Sequence, residues 1–162
     1  MKNLKTVHQD KNPNQFKKFN MLVAGSKMAT ASTIILILIS IALIFYSKAN
    51  VFSIISLIIG AAVQVVYIFK YLLLKNIDKN IDTPVLLTSN ILKFKTYVAK
   101  RKNNELIYMS IWILSILPFA SIYLGSEIKA LIGAVLFILI VGFFGMLSFR
   151  KVDNELEKLK AL

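Results

Sequence analysis

The chain has 162 residues, 57% of them hydrophobic, and a formal net charge of +12. It has no cysteine and one histidine, His8, which excludes disulfides, thiolate metal sites and cysteine nucleophiles and leaves little for histidine-dependent catalysis. The apolar share exceeds the roughly 45–50% of a soluble domain and is gathered into blocks about as long as a bilayer is thick.

In chain order, residues 1–15 read as a polar tail, with Asn12, Pro13 and Asn14 breaking any helix. Phe16, Phe19 and Val23 recur at helical spacing beside Lys17 and Lys18, the pattern of a short helix in the headgroup layer. Residues 1–27 thus form an N-terminal tail with an interfacial helix. The first span is expected over 28–46, where Ser40 is the sole polar residue between Ile34 and Ile44. A signal peptide competes for this segment, since Ser47-Lys48-Ala49 fits a small-x-small cleavage pattern. Against it, the preceding polar region is too long, and the apolar block exceeds the usual ~7–15 residues.

A short turn through Asn50 leads to a second span over 51–69. Lys70 sits at its end, where the ammonium reaches the interface, and Tyr71–Leu74 are free to extend the helix. A polar linker, 70–105, follows. Thr83-Pro84 supplies a helix start, with Thr as N-cap and Pro in the first turn. Leu87, Ile91, Phe94 and Val98 then fall on one face of a basic amphipathic helix, with Ser89, Lys93, Thr96 and Lys100 opposite. Three placements remain open for 84–102: along the inner leaflet, as a topology-setting linker packed against the bundle, or as one rod with the third span, because Asn103-Asn104 is weak punctuation. The third span is expected over 106–124, with Trp112 and a kink at Pro118. The fourth is expected over 130–149, and a short C-terminal helix over 150–162.

Cations fix the expected orientation. The N-terminal segment holds six Lys, residues 70–105 hold eight Lys or Arg and the C-terminal tail four, whereas the two short turns hold one each, Lys48 and Lys129. By the positive-inside rule both termini and the linker face the cytoplasm. The expectation is an all-α integral membrane four-helix bundle, two transmembrane hairpins joined by a basic cytoplasmic amphipathic helix, in the inner (plasma) membrane. The dominance of Lys, Asn and Ile points to an AT-rich, bacterial genome.

Residues with chemical potential are few. No Asp or Glu falls within 30–70 or 106–126, which argues against proton-coupled transport through an embedded carboxylate. Asp78 and Asp82 are four apart, a spacing that fits either a weak metal pair or a helix stop followed by a helix start. Ser56, Gly60 and Gln64 form a stripe suited to close helix packing, within one bundle or between subunits; Gly142 and Gly145 share a face and are read the same way. Lys93, Phe94, Lys95, Lys100, Arg101 and Lys102 are the expected contacts to the membrane surface or to a cytoplasmic partner, with Phe94 dipping into the acyl boundary. No catalytic, cofactor or metal set is expected, and the positive charge is assigned to anionic headgroups rather than to nucleic acid.

The stretch from Tyr67 to Ile116, with Ile91-Leu92-Lys93-Phe94-Lys95 followed by a basic turn and an aromatic-containing span, resembles a loose group of small uncharacterised membrane proteins of Bacteroidota-type bacteria. The resemblance covers about a third of the chain and implies two helical hairpins around a linker, with no functional residues to carry over. Two functions are expected in order: a non-enzymatic scaffold or regulator acting through the basic segments, then a small oligomeric transporter or channel. A membrane enzyme would need machinery that the sequence does not display.

Overall fold

The computed structural model describes residues 13–47, 50–74 and 84–160. Five α-helices account for nearly all of them: α1 (Pro13–Tyr46), α2 (Val51–Tyr67), α3 (Pro84–Ser115), α4 (Leu117–Leu124) and α5 (Glu127–Lys160). A π-helical turn, Ile68–Leu72, prolongs α2, with Leu73 N–H donating to the Ile68 carbonyl at 3.1 Å. His8, Lys48, Asp78, Asp82 and Thr83 lie outside the described residues.

Three of the helices are longer than the elements expected. α1 begins at Pro13 and runs unbroken to Tyr46, so the tail ends earlier and the separate headgroup helix is the first part of a single rod. The physical reason is that proline is tolerated in a first helical turn, where its missing N–H would have no partner anyway. α3 joins the amphipathic segment to the third span without a break. Asn104 does not interrupt it, because its side-chain amide donates to the Lys100 carbonyl at 2.8 Å within the helix. α5 likewise carries the fourth span and the C-terminal helix as one element. At 34 residues, α1 and α5 are each about 50 Å long, well beyond a hydrocarbon core of about 30 Å.

The third span is bent. α3 and α4 meet at 43° around Ile116. Pro118 cannot donate to the carbonyl four residues back, and Ile116 N–H turns instead to Ile113 at 3.2 Å. α4 ends at Gly125 in the left-handed conformation, φ 61°, which a residue without Cβ adopts freely.

α1 packs along α2, α2 along α3, and α5 along both α3 and α4. Among the described residues, three helices are long and apolar enough to cross a membrane, and a fourth span is made if the bent pair α3–α4 counts as one. The chain is a multi-pass membrane protein. The burial pattern explains why. Only 6% of the most apolar window of α5 is buried in the protein, and Phe45, Ile58, Phe143 and Phe144 point outward. Inside, α1, α2 and α3 bury Ser40, Ser53, Gln64 and Ser115. Apolar surface on this scale is stable only with lipid as solvent. The hydroxyls of Ser32, Thr33 and Ser40 on α1 are satisfied within their own helix, donating to the Met28, Ala29 and Leu36 carbonyls.

Beyond the spans the pattern inverts. The free ends of α1, α3 and α5 come together on one apolar core of Phe19, Leu87, Ile91, Phe94, Val98, Phe149, Leu156 and Leu159. The Phe19 and Phe94 rings meet edge to face at 5.8 Å. The molecule thus has a polar end, a small three-helix bundle with its lysines outside, and a turn end formed by the two short connections.

Candidate functional site

The stripe on α2 faces α3, and its rungs are spaced one helical turn apart. Ser56 Oγ donates to the Ser115 carbonyl at 2.8 Å, and Gln64 Nε2 donates to the Tyr108 carbonyl at 3.0 Å. Gly60 lies between them at a close approach of α2 and α3: a Cβ built on it would stand 1.9 Å from Ser115 Oγ and 2.7 Å from Ser115 Cβ. Trp112, one turn from Tyr108, donates Nε1–H to Ser40 Oγ of α1 at 2.9 Å, which ties a third helix into the same layer. The stripe is therefore engaged within the chain. Among the described residues, Gln64 Oε1 and Ser53 Oγ are buried without a partner.

Towards the polar end the ladder acquires charge. Tyr67 O–H donates to Glu105 Oε2 at 3.1 Å, Arg101 Nε–H donates to the same oxygen at 2.5 Å, and the Arg101 guanidinium lies 5.2 Å from the centre of the Phe149 ring. Tyr67, Tyr71 and Tyr108 cluster beside this group, with the Tyr67 and Tyr108 rings stacked 5.0 Å apart and Tyr71 edge-on to Tyr108. The sequence carries two signals for it: Arg101 and Glu105 are an i,i+4 pair, and Tyr67 continues the Ser56-Gly60-Gln64 stripe by another turn. Treating 103–105 as a linker hid the first.

The six residues expected at the membrane surface are divided by the fold. Phe94 does not dip into lipid: it is 1% exposed in the core shared with α1 and α5. Because the helix continues straight into α3, its apolar stripe meets the neighbouring helices rather than the leaflet. Arg101 is turned inward to Glu105. Lys95 pairs with Glu157, and Lys102 with Asp153 at 3.3 Å, so α5 neutralises part of the basic face. The Lys95 ammonium is pushed above its ordinary value, chiefly by the hydrogen bond to Glu157. Lys93 and Lys100 are exposed, as are Lys17, Lys18, Arg150 and Lys151 on the adjoining helices.

Of the two glycines on α5, Gly142 meets α3: an added Cβ would come 3.2 Å from Leu106 Cδ1. Gly145 has nothing within 4 Å and opens onto a groove of about 220 Å³ between α3 and α5. A larger cavity of about 500 Å³ lies at the turn end, between the start of α2, the bent segment and the start of α5. Among the described residues no group of three or more His, Asp or Glu could hold a metal.

No family model, curated protein or solved structure matches the chain.

Proposed function

We propose that the protein is a non-enzymatic membrane scaffold or regulator whose polar end faces the cytoplasm of a bacterial cell and presents a basic surface to an acidic protein partner. The observation that carries this reading is the continuity of α1, α3 and α5 from their apolar spans into a bundle with its own apolar core. A topology-setting linker would have no need of that core. Its apolar side chains are used internally, so what remains for recognition is the outward lysine face: Lys17, Lys18, Lys93, Lys100 and Lys151. Cations flanking the spans, Lys27, Lys70 and Arg150, are positioned for anionic headgroups, at roughly 1 kcal/mol each near such a surface. The 18 to 2 imbalance of cations between the two ends supports the orientation.

Deleting residues 84–102 would be a poor test, since it removes half of the core. Charge reversal at exposed positions leaves the core intact. The full-length quadruple variant Lys17→Glu, Lys18→Glu, Lys93→Glu, Lys100→Glu should lose a stoichiometric acidic partner that crosslinks to the parent protein in cells and dissociates with rising salt. Retention of every crosslinked partner by a folded variant overturns the reading. A second reading, a small oligomeric transporter or channel, is favoured by the broken third span beside the 500 Å³ cavity, because discontinuous helices place unpaired backbone groups at depth. Solute flux in liposomes, reduced when Pro118→Ala straightens the span, would support that reading instead.

A further inference from the structure

The turn-end cavity is walled by Phe52, Leu117, Ile122 and Leu131, with Asn50, Ser53, Ser121 and Glu127 as its polar groups. Its volume of about 500 Å³ lies within the roughly 300–1,000 Å³ of small-molecule pockets. Two features set it apart from a packing defect. Ser53 is fully buried and its Oγ has no hydrogen-bond partner among the described residues, at a position where a polar group left unpaired costs about 1–3 kcal/mol. Among the described residues, Glu127 is the only ionisable one lining the cavity, and it forms no ion pair. Lys129, the cation nearest in sequence within the described residues, does not line the cavity.

The chemistry of such a lining is selective. One carboxylate at the mouth favours a cation, an apolar wall favours a hydrocarbon body, and a buried hydroxyl supplies one hydrogen-bonding group. We infer that this cavity binds an amphiphilic ammonium, its charge against Glu127 and its apolar body against Phe52, Leu117, Ile122 and Leu131. A free organic amine and the ethanolamine headgroup of a phospholipid share this chemistry. The inference stands independently of the basic surface at the opposite end, since it involves none of the same residues. It gives the bend at Pro118 a purpose: α4 is tilted away from the line of α3, and the cavity occupies the space between α4 and the start of α2.

The test uses full-length protein in maltoside micelles, which contain no ammonium group, with 4-fluorophenethylamine as probe and fluorine NMR as readout. Saturable binding is expected, weakened about tenfold by Glu127→Gln and several-fold by Ser53→Ala, with 4-fluorophenethyl alcohol at least tenfold weaker than the amine. Glu127 is exposed and Gln is nearly isosteric, so the variant should fold, and Lys129→Gln, outside the lining, should bind as the parent does. Two further arms distinguish the sources. Displacement of the probe by phosphatidylethanolamine but not by phosphatidylglycerol identifies a lipid headgroup as occupant. Undiminished probe binding in phosphatidylethanolamine nanodiscs identifies a soluble amine. Uptake that rises linearly with probe concentration, or equal affinity for amine and alcohol, overturns the inference, as does a Glu127→Gln variant that binds like the parent.

Discussion

Replacing Gly60 by Ala tests the packing of α2 on α3 at a close approach. The new methyl would lie 1.9 Å from Ser115 Oγ and 2.7 Å from Ser115 Cβ. Rotating the Ser115 side chain relieves the first contact but not the second, because Cβ is fixed to the backbone. The two helices must therefore separate by several tenths of an ångström, at the expense of the 2.8 Å bond from Ser56 Oγ to the Ser115 carbonyl. Overpacking of this kind costs about 1–3 kcal/mol, and an interhelical bond in a membrane protein contributes about 0.6 kcal/mol on average. The expected loss is about 2–3 kcal/mol by combining these terms. Trp112, the only tryptophan, sits on this interface and reports reversible unfolding in mixed detergent micelles by its fluorescence. Ser115→Gly removes both offending atoms, so in that background Gly60→Ala should cost under about 1 kcal/mol, a coupling large enough for a double-mutant cycle to resolve. Gly133→Ala, with nothing within 4 Å, is the control and should be neutral. Additive effects of Gly60→Ala and Ser115→Gly, or a silent Gly60→Ala, would refute the close approach.

Three other expectations follow from the same structure. Phe94→Ala leaves a hole in a core where the ring is 1% exposed and should cost about 3–5 kcal/mol, seen as faster amide exchange in 13–26, 84–102 and 149–160 with the spans still protected. Gln64→Leu should change stability by less than about 1 kcal/mol, because it loses one bond to Tyr108 while removing a buried amide oxygen that has no partner. Acid should loosen the end of α5. The hydrogen bond from Lys158 holds the Glu155 carboxyl below its ordinary 4.5, so its contribution is in place above that value and is lost as pH falls through the lowered one. Because the pair is solvent-exposed the effect is local, measurable as faster intrinsic-rate-corrected exchange over 153–160 in acid than at neutrality.

The sequence makes the spans legible because charge is absent from them, and it makes the α2 stripe legible because Ser56, Gly60 and Gln64 repeat every four residues in an apolar helix. Their partners on α3 were hidden: two of the acceptors are backbone carbonyls, of Ser115 and Tyr108, which leave no trace in residue identity. The junctions between span and extension were also illegible. Lys27-Met28 and Phe149-Arg150 mark a change of solvent, not of backbone conformation, and a helix passes through such a change without a signal of its own. Periodicity at 87, 91, 94 and 98 shows that one face is apolar; it does not show what covers that face. Here helices α1 and α5 cover it, and the long-range contact of Phe19 with Phe94 decides the matter. The turn-end cavity lies outside the reach of pattern reading altogether, because its polar groups come from three separate places in the chain.

The unbroken passage of α3 and α5 from lipid to water makes their lengths rigid quantities. Each residue advances a helix by about 100° and 1.5 Å. One residue inserted between Lys102 and Leu106 would swing Phe94 and Val98 out of register with Phe149 and Leu156 while Trp112 and Ser115 stayed in place against α2. The junctions at the polar end should therefore reject single insertions, and a seven-residue addition, two nearly full turns, restores the facing of Phe94 and Val98 but carries them about 10 Å along the axis from their partners. The connection near Gly125 carries no such phase and is free to vary in length.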